Sequence, residues 1–294
     1  PVAAAIARYA FRTARKKQGT TVLYTAHGFH FYKGAPKISR LYYAAEKALI
    51  RYTDGIITIN EEDYLAAKKM CRNKKCDAYK IPGIGIDLSR VRNSSRTKES
   101  IRKEFGIPND AFLVMSNSEI NENVECSITA VAANKGVYML ICGTGKNMDK
   151  CRSLVKELGC EDRIIFAGYR YDAKELLHGA DAFIFPSRRE GLGLAAIEAM
   201  AVGLPLIVSD NRGTREYAVN GENAIVCEYN NISQFINAVQ LLSSDKELCR
   251  KLGENGYRTA EKYSLENALD CMADIYRSYI DIPADSKTEV LSGE

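Results

Sequence analysis

Three observations in the amino-acid sequence predict an α/β protein of two Rossmann-like parallel-sheet domains, the first of them incomplete. Short apolar and β-branched runs alternate with amphipathic stretches of helical period from the first residues onward, the pattern of strand–helix–strand construction. These runs fall into two series, separated by a polar, basic stretch. The 294 residues, 46% of them hydrophobic, suffice for two cores of domain size.

In the first series, strands are expected at 21–27, 55–60 and 78–83, with helices at 38–52 and 61–72. In the second, strands are expected at 111–117, 138–143, 163–168, 182–187, 205–210 and 224–228, with helices at 149–158 and 192–202. This divides the chain into a partial first domain (1–88), a linker (89–108), a second domain (109–263), a C-terminal helix packing back toward the first domain (264–282) and a frayed tail (283–294). The linker rests on the run Ser89-Arg90-Val91-Arg92-Asn93-Ser94-Ser95-Arg96, with a short helix at 101–105 inside it. The opening Pro1-Val2-Ala3-Ala4-Ala5-Ile6 reads as a helix entered without its preceding strand, and three strands are few for a doubly wound sheet. Two or three further strand–helix units, roughly 60–90 residues, are therefore expected ahead of it.

No apolar run approaches the roughly 20 residues that span a bilayer, and no stretch has a secretory layout, so a cytoplasmic location is expected. Residues 1–80 hold 16 Lys and Arg against 6 Asp and Glu, whereas residues 81–294 hold 25 against 31. Such asymmetry points residues 1–80 at something anionic, a membrane leaflet or a nucleic acid. With no nucleic-acid module visible, the expectation is a peripheral contact with the inner face of the plasma membrane and no nucleic acid; the alternative is a solvated, Lys-rich helix surface. The nine cysteines are scattered, with Cys71 and Cys76 the closest pair, so reduced, mostly buried thiols are expected and no metal or disulfide framework.

The strongest local signal is Phe183-Ile184-Phe185-Pro186-Ser187-Arg188-Arg189-Glu190-Gly191-Leu192-Gly193-Leu194, continuing to Glu198-Ala199-Met200-Ala201. An apolar strand ends, a glycine-bearing turn follows and a helix opens. That order aims backbone N–H groups and the positive helix end at whatever lies above the strand ends, which suits a diphosphate. Taken alone, such a turn is also an ordinary connection between strand and helix. Glu198 follows Glu190 by about two helical turns, so the two carboxylates can accept hydrogen bonds from different hydroxyl-bearing parts of one extended ligand.

This motif resembles the family 4 retaining glycosyltransferases, whose signature is a Glu, seven residues and a second Glu. The resemblance continues through Asp162-Arg163-Ile164-Ile165-Phe166-Ala167-Gly168-Tyr169, Gly203-Leu204-Pro205-Leu206-Ile207-Val208-Ser209-Asp210 and Gly221-Glu222-Asn223-Ala224. Earlier, Thr25-Ala26-His27-Gly28-Phe29-His30-Phe31-Tyr32-Lys33-Gly34 looks like the capsule and exopolysaccharide branch. What the resemblance implies is a GT-B architecture with the acceptor side in the first domain and a nucleotide sugar held mainly by the second. It makes Glu190 and His27 the catalytic pair, Glu190 on donor-sugar hydroxyls and His27 facing the sugar across the cleft. Glu198 is placed on the ribose, and Gly191, Leu192, Gly193 and Leu194 beside sugar and diphosphate. Gly28, Glu119, Asn121, Tyr169, Arg170 and Arg188 complete the implied donor site, Tyr169 and Arg170 bordering the base. His30 and Lys33 are weaker candidates, and His178 is read as a helix-surface residue.

No Asp-x-Asp follows an apolar run, so metal-independent transfer is expected, with helix starts and basic side chains stabilising the departing diphosphate. The resemblance also implies a basic residue in the first loop of the second domain. Here Met115-Ser116-Asn117-Ser118-Glu119-Ile120-Asn121-Glu122-Asn123-Val124 has Ser118 in place of a glycine, and Glu122 and Val124 where lysine is expected. A lost charge-assisted contact is worth about 1.5–3 kcal/mol, roughly one to two decades in rate. Arg188 and Arg189 are the candidates to replace it. The donor is expected to be a UDP-sugar and the acceptor a lipid-linked saccharide, with Arg8, Arg12, Arg15, Lys16 and Lys17 meeting anionic lipid. Two alternatives stay open: a truncated or decayed relative that binds nucleotide sugar without turnover, and a sugar-nucleotide epimerase on the same architecture.

Overall fold

A computed structural model describes residues 2–32, 34–121 and 123–280. Lys33, Glu122 and the tail read as frayed lie outside the described residues. The chain divides into two compact units, Pro1–Gly85 with Leu265–Glu294, and Ile86–Ser264.

The first unit is built on three parallel strands, β1 (Leu23–Ala26), β2 (Gly55–Thr58) and β3 (Asp77–Lys80), in that spatial order. The central strand β2 is buried along its whole length, as a strand covered on both faces must be. The helix Glu61–Cys71 starts on Asn60, whose side chain accepts from the Asp63 backbone N–H, with acids in its first turn and Lys68 and Lys69 in its last, the charge order that suits the helix dipole. The helix Leu265–Arg277 belongs to this unit, and the Tyr279 hydroxyl beyond it lies 3.1 Å from the Tyr79 hydroxyl.

Two of the five cations read as lipid-facing are used inside this unit. Arg8 is buried, with its guanidinium 2.7 Å from Glu46 and stacked over the Tyr24 ring, and Arg15 grips both carboxylate oxygens of Asp54. Counting charges in the sequence overstated what the surface offers, because a planar guanidinium buries readily against a carboxylate and a ring.

The second unit carries six parallel strands: β4 (Phe112–Asn117), β5 (Val137–Cys142), β6 (Ile164–Gly168), β7 (Ala182–Phe185), β8 (Leu206–Ser209) and β9 (Ala224–Cys227). Their spatial order is β6-β5-β4-β7-β8-β9, so the winding reverses between β4 and β7. At such a reversal the loops leaving two neighbouring strands go to opposite faces of the sheet and a crevice opens above their carboxyl ends.

Residues 89–108, read as an interdomain linker, are instead folded onto this second unit. The helices Leu88–Arg92 and Lys98–Glu104 bury Leu88, Val91 and Ile101, and the Ile101 side chain packs so tightly that a Cβ on Gly179 would lie 2.5 Å from it. Arg102 is 1% exposed; its guanidinium donates to the carbonyls of Gly179, Pro108, Asn109 and Ala111 and to Asp181 at 2.6 Å. The polar composition concealed this, because the anchor is a charge satisfied on every side rather than an apolar run. His178, read as a helix-surface residue, is half-buried, and its Nε2 donates to the Val91 carbonyl at 2.9 Å.

Replacing Arg102 with Ala takes the shared donor from four carbonyls and leaves Asp181 with Lys98 and the Leu113 N–H, and a loss of about 3 kcal/mol in unfolding free energy is expected. Urea denaturation followed by circular dichroism measures it; a loss below about 1 kcal/mol would show that the segment is held by its apolar anchors alone.

Candidate functional site

The crevice predicted by the strand reversal is present as a cavity of about 400 Å³ above β4 and β7. Its walls come from the loop after β4 (Ser118, Glu119, Asn121, Val124) and the turn after β7 (Pro186 to Glu190). Four residues on the donor-binding and catalytic roster, Glu119, Asn121, Arg188 and Glu190, are thereby brought together.

The turn carrying Glu190 is held from below by the loop after β8. The Ser187 carbonyl accepts from Asn211 Nδ2 at 2.9 Å and from the Ser209 hydroxyl, and the Glu190 carbonyl accepts from Arg212 Nε at 3.2 Å. Gly213 is required there, since a Cβ on it would lie 2.7 Å from the Glu190 Cβ. Ser187 Oγ donates to Glu190 Oε1 at 2.6 Å, which orients the carboxylate. Burial is the largest influence on that carboxyl and pushes its pKa above the ordinary carboxylate range, against the Ser187 bond and the Arg189 charge.

Leu192 is buried, and Gly193 adopts a left-handed conformation (φ 89°) immediately ahead of the helix Leu194–Ala201. The helix thus starts two residues later than the periodicity implies, because the glycine must take a backbone form closed to most residues: a Cβ there would meet the Phe185 ring at 2.9 Å and the Tyr217 hydroxyl at 3.1 Å. No side chain among the described residues caps this helix start, which leaves its first turn open to a ligand. Glu198, on the same helix, is 9% exposed and paired with Lys174 at 2.8 Å.

The remaining assigned residues lie elsewhere. Tyr169 is 66% exposed and packs edge-on against Tyr171, whereas Arg170 is bound bidentately to Asp172 and reaches Glu104 at 3.0 Å. That ion-pair cluster accounts for Arg170 structurally. In the first unit, His27 is exposed just past β1 and lines, with Gly28 and His30, a separate cavity of about 320 Å³. Among the described residues no group of three or more His, Cys, Asp or Glu side chains is arranged to hold a metal ion.

Sequence reading missed four contributors. Lys146 lines the main cavity from the loop after β5, where Gly143-Thr144-Gly145-Lys146 at a strand end was the available signal. Gly213 and Arg212 support Glu190 from the loop after β8, just past the end of the Gly203–Asp210 run that the resemblance covered. Tyr217 is the fourth: its hydroxyl is buried without a hydrogen-bond partner among the described residues, and burial first, then the Glu190 charge, raises its pKa well above the ordinary value.

A parallel sheet whose winding reverses beside carboxylates, basic side chains and an open helix start defines a doubly wound α/β protein with a crevice of a shape and charge suited to a hydroxyl-bearing, anionic ligand. The chain belongs to the group 1 glycosyl transferases: the model of that family matches residues 97–259. EpsD of Bacillus subtilis (strain 168) is 40% identical over 296 residues, covering 98% of this chain and 77% of that protein. The UDP-Gal:alpha-D-GlcNAc-diphosphoundecaprenol alpha-1,3-galactosyltransferase of Escherichia coli is 27% identical over 274 residues, covering 87% of this chain and 68% of that one. The crystal structure of Anabaena HepE in complex with UDP superposes with a TM-score of 0.83 at 19% identity, over 94% of this chain and 76% of that one. WaaG, a glycosyltransferase of lipopolysaccharide biosynthesis, superposes with a TM-score of 0.71 at 20% identity, over 91% and 81%. At those identities the structural likeness establishes the fold, two parallel-sheet units of the GT-B kind, while the family match makes the protein a transferase.

Burial of the Glu190 charge carries a stability consequence with a definite sign. With its folded pKa raised above the ordinary carboxylate value, the native state binds more protons than the unfolded chain between those two values, so stability falls as pH rises through that window. Glu190→Gln is therefore expected to be more stable than wild type at pH 7.5, the gap closing as pH drops toward 4.5. Denaturation midpoints across that range check it, and a gap that widens on acidification contradicts it.

Proposed function

We propose that this transferase moves a hexosyl or related sugar, with retention of configuration and without a metal ion, from a UDP-sugar to a lipid-linked saccharide in the synthesis of a surface polysaccharide of the capsule or exopolysaccharide kind. The work is done at the cytoplasmic face of the membrane. The observation that carries the reading is the cavity at the strand reversal, with an oriented, half-buried carboxylate on one wall and an open helix start beside it. The name of the Escherichia coli relative, which pairs a UDP-sugar with a diphosphoundecaprenol-linked acceptor, and the UDP bound to HepE support the choice of donor and acceptor classes.

In this reading the bond between sugar C1 and the β-phosphate oxygen breaks, its electron pair staying on the nucleoside diphosphate. The acceptor's hydroxyl oxygen bonds to C1 on the face the diphosphate leaves, and the hydroxyl proton passes to a phosphate oxygen. Glu190 holds the sugar through its hydroxyls; Ser187 fixes the carboxylate for that contact. Glu198 exchanges Lys174 for the ribose, and the backbone N–H groups opening the helix Leu194–Ala201 face the diphosphate. His27 keeps the sugar-facing role given by the resemblance. Val124, apolar and lining the cavity, favours a second reading in which the site binds nucleotide and turns nothing over.

Release of UDP from UDP-sugars, with a polyprenyl-diphosphate-linked GlcNAc acceptor present, tests the proposal. Glu190→Ala is expected to lower turnover by about two decades or more with the fold intact, a loss in line with removal of a transition-state contact. Turnover unchanged by that substitution would remove Glu190 from the sugar site, and UDP binding without release in the unmutated protein would favour the second reading. Chelation with EDTA is expected to leave the rate as it was; a fall that added Mg²⁺ restores would overturn the metal-free assignment.

A further inference from the structure

We propose that Lys146 is the cationic contact of the donor's diphosphate, reaching the cavity from the strand next to the one whose loop lacks a lysine. The inference rests on the cavity being a nucleotide-sugar site.

Its ground is how the loop after β5 is seated. Gly143 and Gly145 lie so close to the loop after β4 that a Cβ on either would overlap backbone oxygen, at 2.0 Å from Ser118 and 2.2 Å from Ile120. Asn147 completes the seat: its backbone N–H donates to the Ile120 carbonyl at 3.1 Å and its side-chain amide to the Asn121 carbonyl at 2.9 Å. The residue between these anchors, Lys146, is thereby held at the cavity wall that it shares with Ser118, Val124 and Glu190.

The charge pattern of the cavity gives the position its meaning. A departing diphosphate accumulates charge on the oxygen released from C1, and the side chains that stabilise it must be cationic and placed before the reaction. Val124 contributes none, and the loop after β4 adds the carboxylate of Glu119. Arg188 reaches the cavity from the Glu190 turn, with its guanidinium 5.8 Å from the Tyr229 ring. Lys146 is exposed, forms no ion pair among the described residues, and carries three donors on a flexible four-carbon stem. Its rigid backbone and mobile head let it follow the phosphate oxygen as the bond to C1 lengthens.

Calorimetry on the full-length protein separates this contact from a structural role. UDP, GDP, ADP and TDP are titrated first, and the tightest is carried forward with its parent nucleoside into Lys146→Ala, Lys146→Arg and Arg188→Ala. Lys146→Ala is expected to weaken the diphosphate about tenfold while leaving nucleoside affinity and the thermal midpoint unchanged, with partial recovery in Lys146→Arg. Unchanged diphosphate affinity in Lys146→Ala, or a loss confined to Arg188→Ala, overturns the assignment of Lys146 and leaves the nucleotide-sugar site standing. An equal loss for nucleoside and diphosphate also overturns it, marking Lys146 as a loop-shaping residue. Failure of all four diphosphates to bind the unmutated protein overturns the site reading and this contact with it.

Discussion

Reversal of the winding between β4 and β7 is the constraint from which the rest of the second unit follows. Two parallel strands side by side whose continuing chains turn to opposite faces leave their carboxyl ends uncovered, and every buried backbone group there must find a partner in a loop or a ligand. The loops after β4, β5, β7 and β8 meet these demands by lying on one another. Glycines at 143, 145 and 213 mark where backbone meets backbone or the Glu190 stem with no room for a Cβ. The cavity is what this stacking leaves open.

Polar groups placed at some cost to stability gather at the same spot. Glu190 is buried enough to resist ionisation, Tyr217 presents a hydroxyl to an apolar surrounding without a partner among the described residues, and the helix Leu194–Ala201 begins without a side-chain cap. Elsewhere in the unit Arg102 satisfies its donors on four carbonyls and a carboxylate, and the helix Ile232–Ser244 is capped by Asn231, while the helices Val124–Ala132 and Met148–Glu157 start without such a cap and Ser127 Oγ too is buried without a partner among the described residues.

The first unit shows how far charge composition can mislead. Residues 1–80 are strongly basic in sequence, yet Arg8 serves Glu46 and the Tyr24 ring, and Arg15 serves Asp54. The positive surface left for an anionic partner is smaller than the count, and its position depends on which guanidinium groups the fold has already used. The same unit also exposes apolar side chains, among them Ile6, Phe11 and Leu41.

By itself the sequence determined the nine strands and the helices expected at 38–52, 61–72, 149–158 and 192–202 to within a few residues, because alternation of apolar runs with helical periodicity is a local property that packing seldom overrides; the helices Val124–Ala132, Ile232–Ser244 and Lys246–Ala260 were not placed by it. It also located the Glu190 to Glu198 motif, since a strand, a glycine-bearing turn and a helix start are contiguous in the chain. Only the tertiary structure decided that residues 89–108 belong to the second unit, because a buried arginine satisfied by carbonyls looks like a solvated one until its partners are seen. It alone brought Lys146, Gly213 and Tyr217 to the Glu190 crevice. Lys146 follows β5, Glu190 follows β7, and Gly213 and Tyr217 follow β8; their meeting is fixed by the order of strands across the sheet, which is long-range hydrogen bonding that no local pattern encodes.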